Sequence, residues 1–150
     1  MMKKSLLLLA ALILGGCATH WPETALLNPQ VIPSNQQYYS GNRITMEGVD
    51  KREAAYVFSI KKKEKAPVLV NSSQPLNNLL AEKLAEGLRS QGLEVGNSGT
   101  TNLTLAISTA AVTVEEKTFT YVTKSKVSLQ VIADFQGNKL TKQFNMSSSK

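Results

Sequence analysis

The side chains that usually carry catalysis are scarce in this sequence, and they are poorly placed for it. The one histidine, His20, and the one cysteine, Cys17, lie three residues apart near the N-terminus. A polar stretch surrounds them that offers no rigid partner to orient an imidazole as a general base. Carboxylates pair at Glu115-Glu116 and at Glu82/Glu86, but the first pair falls in a polar turn and the second on the wet face of a helical pattern. Both read as solvated surface. No His/Cys/carboxylate cluster has metal-ligand spacing, and no Gly-rich loop has the form of a phosphate cradle. The sequence therefore nominates no catalytic residue, no metal site and no cofactor.

The one chemistry that is clearly signalled acts on the chain itself. Lys3 and Lys4 precede an apolar run from Ser5 to Leu14, closed by Leu14-Gly15-Gly16-Cys17. A basic start, a short apolar stretch and small residues at the cut site make a secretory signal peptide over 1–16, too short for a membrane span of about 20 residues. The last four residues resemble the bacterial lipobox, with Leu14, Gly15 and Gly16 recognised by the signal peptidase. That resemblance implies that Cys17 is lipidated on sulfur, becomes the mature N-terminus and is acylated on its amine, a palmitate-type anchor to the membrane. Each buried CH₂ contributes about 0.8 kcal/mol, so several acyl chains attach the protein stably. Ala18 rather than Asp follows the cysteine. By resemblance to the sorting pattern of Gram-negative bacteria, this favours the outer membrane, with the domain facing the periplasm. With Cys17 consumed, no internal disulfide is available despite the oxidising compartment.

The remaining elements must position any binding surface. Residues 17–42 hold no Lys or Arg, one Glu and three prolines, Pro22, Pro29 and Pro33, a composition that predicts a disordered, flexible tether reaching roughly 25–30 Å. Residues 43–150 are one domain's worth of chain. Strands are expected at Arg43 to Val49, then after the polar turn Asp50-Lys51-Arg52 at Ala54 to Ile60, and at Val68 to Val70. Asn71, Ser72 or Ser73 should cap a helix with Pro75 in its first turn. Leu76, Leu80, Leu84 and Leu88 recur every four residues, with Leu79, Ala81 and Ala85 beside them, and Gly92 supplies a left-handed stop. After Leu93 to Val95, alternation in Leu103, Leu105 and Ile107 switches parity to Ala110, Val112 and Val114, which predicts a one-residue bulge near Ser108 to Ala110. Glu115-Glu116-Lys117 should turn a hairpin into a long strand that buries Phe119, Tyr121, Val127, Leu129, Val131, Ala133 and Phe135. Gln136-Gly137-Asn138-Lys139 should turn a second, into Leu140 to Phe144. The fold class is α+β: a mostly antiparallel β-sheet with one amphipathic helix packed on one face, after the tether.

In order and spacing, several segments resemble the YajG family of uncharacterised bacterial lipoproteins. They are the lipobox, Gly48-Val49-Asp50-Lys51-Arg52, the Leu-rich helix into Gly92-Leu93-Glu94-Val95, Asn102-Leu103-Thr104-Leu105 and Gly137 to Lys142. The resemblance implies a lipid-anchored periplasmic domain with no established enzymatic activity, and it names no ligand. Similar proteins continue past the last hairpin into a second helix, so a truncated form is expected here.

Two groups of charges are candidate partner contacts. Asp50 and Arg52 read either as a polar contact to a periplasmic partner or as a turn in which Asp50 caps local N–H groups and Arg52 pairs with it or with Glu53. Lys61, Lys62, Lys63 and Lys65 cluster in a domain carrying 15 basic and 10 acidic side chains. The signal peptide excludes nucleic acid. Anionic lipid head groups, acidic wall polymers or an envelope protein remain as partners, beside a solvated edge guarded by lysines. The expectation is a non-catalytic binding or scaffolding module of the cell envelope; the alternative is an enzyme or small-ligand carrier acting on envelope material.

Overall fold

The computed structural model describes residues 22–150. The signal peptide, Leu14, Gly15, Gly16 and the lipidation residue Cys17 lie outside the described residues. Eight strands and one helix follow in the order β1 (Thr24–Ala25), β2 (Arg43–Asp50), β3 (Tyr56–Lys61), β4 (Val68–Ser72), α1 (Leu76–Arg89), β5 (Glu94–Gly96), β6 (Thr101–Glu116), β7 (Tyr121–Phe135) and β8 (Asn138–Ser149). Among the described residues no helix is long and apolar enough to cross a membrane.

The sheet is mixed, which corrects the antiparallel expectation. β6, β7 and β8 form an antiparallel meander, and β3 pairs antiparallel with β4. However, β2 and β3 both run parallel to β6, β5 runs parallel to β2, and β1 parallel to β4. Asp50-Lys51-Arg52 does not turn β2 back into a hairpin. It passes the chain onward, so that β2 lies against Thr101–Ile107 and β3 against Val112–Glu115 of the same long strand. Parallel neighbours need a long crossover; for β2 and β5 it runs through β3, β4 and α1. Local turn chemistry could not reveal this, because a polar tripeptide serves a splice as well as a reversal.

The bulge is where the parity switch puts it. Ile107 pairs with Leu129 and Thr109 with Ser128, leaving Ser108 as the extra residue. Leu105 and Ile107 before it and Ala110 after it thereby share one face with Leu129 and Val131 of β7, and Ile107 is fully buried. The core centres on Ile107, Val57 and Leu76, with Ala25, Leu27, Leu79, Leu80 and Leu129 packed around it.

The helix lies close on β2 through small residues. Ala81 and Ala85 are buried, whereas Leu80, Leu84 and Leu88 are half-buried. Opposite them Gly48 carries no side chain; a Cβ there would strike the backbone carbonyl of Asn77 and lie 3.1 Å from the Ala81 Cβ. None of Asn71, Ser72 or Ser73 caps the helix. Pro75 is the N-cap and makes no side-chain bond, while Ser72 Oγ accepts the Gln74 N–H at 3.4 Å. The helix ends as expected: Gly92 is left-handed (φ +87), Leu93 N–H donates to Leu88 O and Gly92 N–H to Arg89 O, a Schellman motif, and Leu93 is buried.

The predicted tether is, from residue 22 onward, a strap on the domain. Thr24–Ala25 adds to the sheet beside β4, Leu27 O accepts from Gln74 Nε2, Ser34 N–H donates to Ser90 Oγ and Tyr39 N–H to Gln91 O. The strap thus follows the helix from its start to its end. Its Leu27 and Val31 lie against the core and against Gly87, respectively. Low charge and proline content describe an extended segment equally well when helical leucines offer it a surface.

Candidate functional site

Asp50 and Arg52 sit at the splice between β2 and β3. The guanidinium grips the carboxylate with two oxygens engaged, Arg52 Nε to Asp50 Oδ1 at 2.9 Å and Nη2 to Oδ2 at 2.8 Å. The Arg52 backbone N–H donates to the same Oδ1 at 3.1 Å, and Nη1 donates to Tyr56 O at 3.2 Å. Lys51 N–H is bound to Ile107 O at 2.8 Å, beside the bulge. The Arg52 side chain is only 6% exposed. The hydrogen bonds from Arg52, chiefly from its side chain, hold the Asp50 carboxyl below the usual carboxylate value of 3.8, against a smaller opposing effect of burial. Every polar arm of the pair is thus engaged within the fold. The geometry is that of a structural clasp, and Arg52 also lines the cleft beside it, together with Lys51, Glu53, Ala54, Tyr56 and Ser108 to Ala111.

The lysines stand at the opposite extreme of exposure. Lys61 ends β3, and Lys62, Lys63 and Lys65 form the β3–β4 loop beside the β6–β7 hairpin. Lys63 Nζ lies 3.3 Å from Thr118 Oγ1. Glu115 collects Lys117 at 3.4 Å, Lys124 at 3.5 Å and Lys61 at 3.8 Å, and its carboxyl is lowered first by the charge of Lys124. The other carboxylate pair is split between surface ion pairs, Glu86 with Lys83 and Glu82 with Arg89, both at 2.8 Å. Among the described residues no three His, Cys, Asp or Glu side chains come together as metal ligands would.

Two features escaped the periodicity argument. The first hairpin turns over Lys117 to Thr120, closed by Lys117 N–H to Thr120 O at 2.8 Å. Phe119, expected on the buried face, is therefore at the tip and 94% exposed, and Tyr121 is 67% exposed. The signal was present: Lys117-Thr118-Phe119-Thr120 has the polar composition of a turn apart from its ring. The second feature is β8, which runs twelve residues, is exposed throughout and, among the described residues, pairs with β7 on one side only. Leu140, Phe144 and Met146 lie along one of its faces, opposite Ala133, Leu129 and Val127 of β7. The second face of β7 is likewise not simply wet, since Ser128 is buried and donates to Asn145 Oδ1 at 2.7 Å.

No curated protein is significantly similar to this chain. Among solved structures, the crystal structure of protein XCC0632 from Xanthomonas campestris, a member of family DUF330, matches with a TM-score of 0.58 at 8% identity, covering 84% of this chain and 78% of that one. At that identity the likeness is one of fold. A crystal structure of an uncharacterized protein matches at a TM-score of 0.40 and 15% identity, covering 75% and 76% of the two chains. The lipoprotein model covers four-fifths of the sequence, including every strand from β2 onward. The chain belongs to the YajG family of uncharacterized lipoproteins, whose model, Lipoprotein_16, matches residues 29–150.

Proposed function

We propose that this lipoprotein is anchored through Cys17 to the inner leaflet of the outer membrane and acts in the periplasm as a non-catalytic binding module that captures an extended segment of an envelope partner. The observation that carries this reading is β8. A twelve-residue edge strand with an open row of backbone groups is a template for strand addition. Leu140, Phe144 and Met146 offer apolar seats along one face, interrupted by Lys142, while Thr141, Gln143 and Asn145 face the other way. The Asp50–Arg52 clasp supports a scaffolding role, because it spends the family's signature charges on holding β2 and β3 in line along β6.

The lipid restricts the search for a partner. Cys17 precedes β1 by only seven residues, so a lipid on it raises the domain's effective concentration only for partners near the membrane. The test is crosslinking in cells of the anchored protein beside a Cys17→Ser form, with mass spectrometry of what is captured. A defined envelope protein trapped by the anchored form alone is expected. Equal capture by both forms would refute anchored binding.

A further inference from the structure

One end of the sheet joins an aromatic tip to a basic rim. Phe119 and Tyr121 stand in water at the β6–β7 hairpin, and the β3–β4 loop packs against that hairpin through Lys63 and Thr118. Six lysines meet three glutamates within these two loops and the strand ends beside them. Glu115 draws its three lysines inward along the strands, whereas Lys63 and Lys65 sit on the exposed outer loop. Folding therefore leaves two large rings and a surplus of positive charge at one pole.

The strand directions bring the start of β1 towards the same pole. β4 starts here with Val68 and runs away from it, and β1 runs parallel to β4 with Thr24 level with Asn71. Glu23, whose carbonyl accepts the Asn71 N–H, and Pro22 before it therefore approach from the lysine side. Six residues lead from Cys17 to Glu23, a reach of at most about 20 Å.

From this coincidence we infer that the pole is a membrane-contact surface, with Phe119 and Tyr121 seated among the head groups of an anionic bilayer and Lys63 and Lys65 on its phosphates. Aromatic rings with a polar surround favour the membrane interface, and lysine stems lie along it while their ammonium groups reach the phosphates. Each lysine near an anionic surface strengthens partition by about fivefold. An acyl anchor and a polybasic patch reinforce one another. The contact would stand the long strands on the membrane and point the β2 start, the helix end and the β5 strand into the periplasm. The inference takes its orientation from anchoring at Cys17, so its test uses a chain that cannot be lipidated.

The test is sedimentation of the mature chain from position 17 carrying Cys17→Ser, with vesicles of phosphatidylethanolamine and phosphatidylglycerol or of phosphatidylcholine alone. Binding to the anionic vesicles, weakened by salt, is expected, with a loss of roughly 25-fold in Lys63→Gln/Lys65→Gln, from about fivefold per lysine. In a Trp21→Phe background, Phe119→Trp should show blue-shifted emission quenched by brominated lipid. Lys63, Lys65 and Phe119 are exposed and lie outside the core, and unchanged melting of each variant checks that the fold is intact. Equal binding to both vesicle types, an unquenched tryptophan at the tip, or binding to isolated cell-wall polymer without vesicle binding would overturn the inference. Absence of lipid on the native protein would refute anchoring instead, and it is read separately by mass.

Discussion

Gly48→Ala should destabilise the domain, although Ala is the better strand residue. The backbone at Gly48 has an ordinary negative φ, so in open space the added methyl would stabilise by about 0.4–1 kcal/mol through the unfolded chain. Space decides the sign. The new Cβ would strike the Asn77 carbonyl oxygen and lie 2.7 Å from its carbon, and both are backbone atoms of the first helical turn. No rotamer relieves such a contact, so α1 must lift from β2, at the 1–3 kcal/mol typical of overpacking. The lift also weakens the 3.0 Å bond from Asn77 Nδ2 to Gly48 O, worth about 1 kcal/mol. The net loss comes to about 2 kcal/mol, which for a domain of this size lowers Tm by roughly 6–10 °C. Urea unfolding followed by circular dichroism measures it. Gly96→Ala, where a Cβ meets nothing within 4 Å, is the control and should change stability by less than about 0.5 kcal/mol. A Gly48→Ala variant as stable as the wild type would refute the close helix–sheet contact.

Breaking the clasp with Arg52→Gln should cost about 2 kcal/mol in the same assay, because it leaves Asp50 and the Tyr56 carbonyl without their partner. The clasp also sets a pH dependence: a carboxyl held below 3.8 in the fold adds stability at neutral pH, which is lost as pH falls through 3.8 and then through the depressed native value. The stability gap between wild type and Asp50→Asn should therefore narrow below about pH 4; a gap that widens there would show the opposite linkage. Glu94→Gln should change stability by less than about 1 kcal/mol, since its pair with Arg43 at 2.5 Å is 60% exposed on both sides. Leu140→Lys with Met146→Lys should leave urea stability unchanged, because both are more than two-thirds exposed, while lowering self-association measured by sedimentation velocity.

Local patterns carried most of the elements. The helix and its Gly92 stop, the bulge at Ser108 and the Gln136-Gly137 turn were legible because each is fixed by neighbours in sequence. That turn has φ of 52 and 86 at its two residues, as a tight hairpin requires. Pairing across the sheet was less legible. β2 and β3 are both amphipathic strands flanking a polar tripeptide, and nothing local distinguishes a reversal from a splice along a sixteen-residue β6. The charge pattern marks Asp50 and Arg52 as notable but leaves clasp and contact open; the clasp itself, with the Arg52 side chain 6% exposed, is visible only in the structure. Phe119 was misplaced because strict alternation was extended through a turn. Alternation along β7 implies one buried face, yet Val127, Leu129, Val131 and Ala133 are only half-buried and Phe135 is 47% exposed, because α1 lies on β2 instead.

The binding reading is tested most directly by position-resolved photo-crosslinking in cells, with the reactive side chain at Gln143 on β8, or at Glu82 on the outer face of α1 as reference. A single envelope protein crosslinked from Gln143, absent from Glu82 and lost with Cys17→Ser, is the predicted result. Capture of the same proteins from both positions, or capture from Glu82 alone, would contradict binding through the β8 edge.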